Sequence, residues 1–316
     1  MVTEVRMTKL KDPNIFLSDI DEVPSIMIGD FLVMLDIDPP SPEFQEMARK
    51  ELRESPEVQK EAMSRLQELL KAETDLHCPL ENDAWLIRFL RPSKYYPESA
   101  CKLVKRYYSF KAKHPIIYAN LTPSNERNIF EQDILSIMPS RDQYGRRILI
   151  LEIGKKWKVH KCSLYEIIKG CILHMEAAIL EPATQIAGAV LIFDLGGFSL
   201  QQAMQFTPSF AKILAELLQD AIPLRIRNIH VINQPYIVDM VFTLFKPFIR
   251  EKSRSKIVFH GTNQNSLHQY IAPNYLPQNY GGTSKVPRVS GRQYFQLLVM
   301  GDKEYEAINS YGYNKK

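Results

Sequence analysis

The chain has 316 residues, 45% of them hydrophobic, and a formal net charge of +4. That is enough for one large domain with a smaller one attached, in the composition of an ordinary soluble globular protein. No uninterrupted apolar run approaches the ~20 residues that span a bilayer, so a transmembrane helix is excluded and any membrane contact is peripheral.

The opening residues, Met1 to Lys11, are polar and lack the pattern of a secretory signal, so a cytoplasmic protein is expected. Cys78, Cys101, Cys162 and Cys171 form no Cys-x-x-Cys pair and suit reduced thiols; no metal site is expected. Before Pro40, acids (Glu4, Asp12, Asp19, Asp21, Glu22, Asp30, Asp36, Asp38) outnumber bases (Arg6, Lys9, Lys11), which leaves the remainder more basic than the total and favours an anionic surface as partner. Residues 1–40 show scattered apolar residues and no sustained period, and read as an irregular arm.

Ser41-Pro42-Glu43 and Ser55-Pro56-Glu57 each set a capping residue before a first-turn proline, so two helices are predicted to start there. A third covers 83–91 and a fourth 97–114, with Ala100, Leu103, Val104 and Tyr107 inward; residues 41–118 make a small helical bundle. From Pro123 the pattern changes. Ile134–Met138 and Arg147–Ile153 read as strands joined by a polar turn ending near Gly145, an antiparallel hairpin. A helix over 163–180 follows, with Leu164, Ile168, Cys171, Met175 and Ala178 on one stripe. Ala189–Asp194, closed by Gly196-Gly197, is a buried strand; Phe206, Phe210, Leu214, Leu217 and Leu218 line one helix face before Pro223; Ile229–Asn233 is the next strand. Strand, helix, strand makes a βαβ crossover with parallel strands.

Tyr236 to Ile249 is long enough for a helix, yet it is apolar on every side, with Asp239 and Lys246 nearly its only charges. Such a helix lies deep in a protein or touches lipid. Behind it Lys246, Arg250, Lys252, Arg254 and Lys256 stand against Glu251 alone, the composition of a surface that leans on an anionic membrane. Lys256–His260 is the last strand, and the tail over 285–316 is partly helical at best, at 294–300. The sum is an α/β domain over 123–284 with a mixed, mostly parallel sheet of about five strands.

Ile192-Phe193-Asp194-Leu195, the run Pro223 to Pro235, Lys246-Pro247-Phe248, His260-Gly261, Leu276-Pro277 and Tyr280-Gly281-Gly282 resemble the CRAL-TRIO lipid-binding family in order and spacing, over roughly residues 80–284. Within it, the likeness is to the α-tocopherol transfer protein and cellular retinaldehyde-binding protein branch. Trp85 to Arg91 resembles the signature of the family's N-terminal helical subdomain.

The resemblance implies one lipid held between the sheet and a mobile lid helix that opens at membranes, here carrying Val238, Val241, Phe242, Phe245 and Phe248. It implies a hydrophobic pocket lined by Ile168, Cys171 and Met175; by Ala189, Leu191 and Phe193, which alternation puts on one strand face; and by Phe198, Leu200, Phe206, Leu214, Leu217, Leu218, Ile222, Leu224, Ile226 and Ile229. Arg225, Arg227, Lys252 and Lys256 match positions that form a basic cleft for phosphoinositide head groups in relatives; the two arginines flank Ile226 and are expected opposite it. Tocopherol-binding relatives carry small hydroxyl residues where this chain has Cys171 and Met175, and many relatives carry an acid at Gly196. With His174 nearby, that departure points to a different head group.

The expected function is an intracellular, monomeric carrier of a hydrophobic small molecule such as a tocopherol, retinoid or carotenoid, with no cofactor. It would exchange this ligand at phosphoinositide-containing endosomal or plasma membranes. The alternative is a phosphoinositide-binding trafficking adaptor with a phospholipid in the pocket. Catalysis is not expected: Asp194, His230 and His260 sit at strand ends, but no Gly-x-Ser-x-Gly, Gly-x-Gly-x-x-Gly or Gly-x-x-x-x-Gly-Lys loop accompanies them. Nucleic acid is not an expected partner. Arg88, Arg91, Lys94, Lys102, Lys105 and Arg106 are expected to form a basic face that extends the membrane footprint.

Overall fold

The computed structural model describes residues 2–313. Residues 2–34 are not an irregular arm: β1 (Val2–Lys9), β2 (Glu22–Ile28) and β3 (Phe31–Met34) form an antiparallel meander. The cause is local. Gly29-Asp30 alone joins β2 to β3, and Gly29 takes φ +59, so a two-residue turn sets two short apolar runs side by side. Val23, Ile26, Ile28 and Val33 are buried in the main core, so the meander is docked on the body.

The helical bundle follows with boundaries close to those predicted: α1 (Pro42–Leu52), α2 (Pro56–Lys71), α3 (Asp83–Leu90) and α4 (Pro97–Lys113). Ser55 caps α2 by accepting from the Val58 amide at 3.3 Å, and Asn82 caps α3 by accepting from Trp85 at 2.7 Å. Leu66, Leu70, Trp85, Leu86, Phe89, Val104 and Tyr107 make a core of their own. Between α2 and α3, the short β4 (Leu76–His77) leaves the chain's line to pair with the C-terminus.

The central sheet has six strands. In chain order they are β5 (Leu135–Met138), β6 (Arg147–Glu152), β7 (Ala189–Asp194), β8 (Ile226–Ile232), β9 (Ile257–Gly261) and β10 (Val289–Ser290), and in space β10-β5-β6-β7-β8-β9. The pairs from β6 to β9 are parallel, and the two pairs at the β10 edge are antiparallel. The helices around it are α5 (Leu164–Ile179), α6 (Pro182–Ala187), α7 (Pro208–Glu216) and α8 (Ile237–Phe245), then α9 (Gly291–Leu298) and α10 (Asp302–Ser310) from the tail. A Ser163/Glu166 capping box starts α5.

The sixth strand and two ordered helices correct the reading of the tail. A Ser290/Gln293 capping box starts α9, which buries Tyr294, Leu297 and Leu298 in the main core. On α10, Glu304 accepts from the Leu17 and Ser18 amides at 2.7 and 3.0 Å, so arm and tail are tied to each other. β11 (Gly312–Tyr313) closes on β4; residues 314–316 of the predicted tail lie outside the described residues.

Strand alternation divides the sheet into two faces. Leu149, Leu151, Ala189, Leu191, Phe193 and Val231 point toward α5, α7 and α8. Met138, Ile148, Ile150, Val190, Ile192 and Ile232 point the other way, under Leu267, Ile271, Leu276 and Tyr280. One irregularity matters for the site. Ala189 pairs with Ile226 but Val190 pairs with Asn228, which leaves Arg227 as an extra residue in β8. This bulge lets Ile226 and Ile229, three positions apart, both join the first face.

Candidate functional site

The space between the first sheet face and the helices gathers nearly all the residues singled out from the sequence. Ile168, Met175, Ala189, Leu191, Phe198, Leu217, Ile222, Leu224 and Ile226 are buried in one core, and Cys171, Phe193, Phe206, Leu214, Leu218 and Ile229 pack against it with partial exposure. Leu200 does not belong there; it is 58% exposed. It opens the short helix Leu200–Ala203, whose inward side is taken by Gln202, and the Gln202 amide donates to the carbonyls of Ile153, Gly154 and Trp157 at 3.1, 3.2 and 2.8 Å. Leu200, two positions earlier, is left facing outward.

The apolar helix α8 is shorter than predicted: it ends at Phe245 and continues as a single 3-10 turn over Lys246–Phe248. Val238 and Val241 are buried, Phe242 meets Phe259 edge-on at 5.0 Å, and Phe245 meets Phe206 at 6.1 Å. Phe206 is the hub beneath the helix, with Trp157, Phe198 and Phe210 at 6.1, 6.1 and 5.7 Å. Apart from Leu200, the large side chains that face solvent here were not among the predicted site residues. Tyr236 is 90% and Met240 59% exposed, and Met204, beside the Leu200 helix that packs on α8, is 73% exposed.

A cavity of about 40 Å³ lies between the sheet, α5, the arm and the tail, lined among others by Leu149, Met175, Ala178, Leu191, Leu224, Val33 and Tyr294. No residue of α8 lines it. At this size it admits a water molecule and not a lipid; drug-sized pockets run to several hundred Å³. The interior beneath α8 is filled by the Phe206 cluster in this conformation.

The predicted cations do come together. Arg225 and Lys256 are both pushed below their ordinary pKa, first by burial and then by the other cations: Arg227 acts on Arg225, and Lys252, Arg227 and Arg225 act on Lys256. Lys256 donates to the Ile226 carbonyl at 3.0 Å. Arg227 donates through Nε to the Ala187 carbonyl at 2.8 Å, and Arg225 donates through Nη1 to that of Ile186. Their Nη2 groups converge on one oxygen, Glu51 Oε2 on α1, at 2.8 Å from Arg225 and 2.6 Å from Arg227. Burial opposes the charge on Glu51, but hydrogen bonds from Arg227 and Arg225 outweigh it and hold the carboxyl below its usual range. Lys252 is exposed and has no carboxylate partner among the described residues. Glu51 carried no signal in the sequence; its role exists only because α1 lies across the end of β8.

The basic face expected on the helical bundle is split: Arg88 and Arg91 are turned to the inside of the protein, Lys94, Lys102 and Arg106 are exposed, and Lys105 is half-buried. Arg88 is buried, donates to the Ile15 carbonyl and lies 3.8 Å from Glu304. Arg91 pairs with Glu54 at 2.8 Å and Gln185 at 2.7 Å, Lys105 pairs with Glu73 at 2.5 Å, and Arg106 donates to the Asp220 carbonyl at 3.1 Å.

On the second sheet face His230 Nδ1 is 3.0 Å from His260 Nε2, and His260 Nδ1 is 2.8 Å from Ser266 Oγ. Burial, with His260 and Arg146 adding to it, pushes His230 down to about 3, so the ring is neutral. Asp194 accepts from the Gly196 amide, Asn233 and the Tyr280 hydroxyl at 3.0, 3.0 and 3.2 Å. These groups clasp the 264–280 segment to the sheet. Among the described residues no group of three His, Cys, Asp or Glu side chains is arranged to hold a metal, and no helix is long and apolar enough to cross a membrane.

A mixed, mostly parallel sheet with an apolar cover helix on one face and a knot of cations at its edge defines an α/β domain of the covered-sheet type. Comparison with known proteins agrees. The CRAL/TRIO domain matches residues 131–282. Clavesin-1 of Pongo abelii is 35% identical over 246 residues, 77% of this chain and 69% of that one. Clavesin-2 of Homo sapiens is 33% identical over 273 residues, 86% of this chain and 82% of that one. The chain belongs to the CRAL/TRIO family. The crystal structure of Sfh5 aligns with 78% of this chain and 90% of that one at 15% identity and a TM-score of 0.43, too distant to carry an argument.

Proposed function

We propose that the protein is an intracellular carrier that holds a hydrophobic small molecule, such as a tocopherol, retinoid or carotenoid, against the first sheet face and exchanges it at phosphoinositide-containing membranes through α8. The observation that carries this reading is the surface made by two touching helices: Leu200, Met204, Tyr236 and Met240 project from it, and cations follow at 246–256. Each large apolar side chain that enters a bilayer boundary contributes ~1.5–3 kcal/mol, and each nearby cation ~1 kcal/mol on an anionic leaflet. Three or four such residues offset the cost of drawing Val238, Val241 and Phe245 out of the core. Once α8 lifts, Phe206 is released from Phe245 and the aromatic cluster has room to part around a lipid. The cavity near Met175 then becomes one end of a longer pocket.

The cleft of Arg225, Arg227, Lys252 and Lys256 binds the inositol phosphate in this reading, and Glu51 marks where a phosphate oxygen would sit. Two tests address the two parts. Organic extraction of the purified protein followed by mass spectrometry is expected to yield a neutral lipid; phospholipid would favour a trafficking adaptor, and no lipid at all would overturn carriage. Arg227→Ala combined with Lys252→Ala is expected to weaken retention on phosphatidylcholine vesicles containing phosphatidylinositol bisphosphate by roughly 30-fold at low salt, on the basis of ~1 kcal/mol per cation. The extracted lipid should be unchanged. Equal retention of mutant and parent would remove the cleft from the account.

A further inference from the structure

His174 stands on α5 with its ring against Phe130 and Tyr294, at centroid separations of 5.5 and 5.0 Å. Its Nδ1 lies 2.7 Å from the Gly170 carbonyl oxygen. A carbonyl only accepts, so Nδ1 carries the ring proton. Burial pushes the imidazole down to about 4, which leaves the ring neutral near pH 7. Nε2 is therefore a bare lone pair, and it has no hydrogen-bond partner among the described residues although the residue is only 4% exposed. Buried acceptors in native proteins are nearly always satisfied, and an unsatisfied one costs the full loss of its bond to water.

The same residue lines the cavity of about 40 Å³, whose other walls near it include Met175, Ala178, Leu149 and Leu191. The charged residues on that lining, Arg147 and Glu181, are paired with each other at 2.5 and 2.7 Å. A molecule that enters meets mainly hydrocarbon, with His174 and Tyr294 as the uncharged polar side chains of the lining. Nothing in the lining offers a free cation to a phosphate, and a charged head group placed there would lose its hydration without a counter-ion.

We infer that His174 selects the ligand: the pocket takes an uncharged lipid whose head carries a hydroxyl, and that O–H donates to His174 Nε2. The inference rests on the carrier reading above and narrows its ligand class. An aldehyde or ether of the same skeleton brings a second acceptor to the lone pair and leaves both unsatisfied. A cavity water meets the same need in the free protein, and the hydroxyl takes its place.

The test is competition within matched pairs, read by native mass spectrometry on the full chain: hexadecanol against hexadecyl methyl ether, and all-trans-retinol against all-trans-retinal. Uptake of the alcohol is expected to exceed that of its partner by roughly tenfold, within the range set by one buried hydrogen bond. His174→Leu is expected to erase the preference, and His174→Gln, whose amide oxygen also accepts, to retain it; thermal melts show that both variants are folded. Equal uptake of both members, a preference that survives His174→Leu, or one lost equally in His174→Gln would overturn the inference while leaving carriage intact, because lipid has loaded. Failure of every probe to load would overturn carriage and this inference with it.

Discussion

The two faces of the central sheet come from the same strands and are built differently. On the second face Ile148, Ile150, Val190 and Ile192 are fully interlocked with Leu267, Ile271 and Leu276, and polar clasps at His230–His260–Ser266 and Asp194–Tyr280 hold the cover in place. β-branched residues have few rotamers, so such a layer resists change. On the first face Ala189, Leu191 and Phe193 meet a cover of phenylalanines, leucines and a methionine, several of them only partly buried; the polar ties of this cover lie behind α8, where Gln219 donates to the Phe248 carbonyl at 2.9 Å and Arg250 pairs with Asp220 at 2.8 Å. Long and aromatic side chains without polar ties repack at lower cost. One face is a foundation, and the other yields.

That contrast is broken or sharpened by substitution and by acid. The largest effect is expected for Ile192→Ala, which should cost ~2–5 kcal/mol of stability in urea unfolding as a buried large-to-small change. Phe193→Leu, one residue on and facing the other way, should cost less than ~1.5 kcal/mol. Equal losses would erase the difference between the faces. Next comes pH. Burial pushes His230 and His174 down to about 3 and about 4 in the folded chain, below the ~6.5 of an unfolded histidine. Below 6.5 the unfolded chain therefore binds more protons than the folded one. The stability these two rings contribute is complete above that pH and is lost as pH falls toward the folded values, with a slope approaching ~1.4 kcal/mol per pH unit for each ring. Melting temperatures that stay level from pH 7 to 4.5 would refute the assignment of both as buried and neutral. The smallest effect concerns the edge where the faces meet the helical bundle. Glu51 is half-exposed, so its pairing with the arginines is worth ~1 kcal/mol or less. Glu51→Gln should strengthen retention on phosphoinositide vesicles by about two- to fivefold. Unchanged or weaker retention would mean that Glu51 does not compete for the anion site.

Much of this was legible in the sequence because it is local. The cap residue at Ser55, the four-residue steps of α4 and the apolar runs of β7 and β8 each report local backbone geometry, since side-chain direction follows from it within a few residues. The family was legible in the same way, through short motifs in register. The meander was also present as a Gly29-Asp30 turn between apolar runs; Pro24 and the short strand lengths obscured it.

The rest was decided by which surfaces met. Leu200 faces out because Gln202 found three carbonyls inside, and Arg88 and Arg91 are interior because the arm, tail and α1 close over them. The cations at 225–256 were readable as residue types, but the carboxylate among them arrives from 174 positions away. His174 was visible as a histidine on a helix, yet its open nitrogen exists only where α5, the tail and the sheet leave a gap. The sequence by itself determined the elements, their faces and the family, since these depend on neighbours along the chain; tertiary docking alone decided which buried groups were satisfied and which were left without a partner.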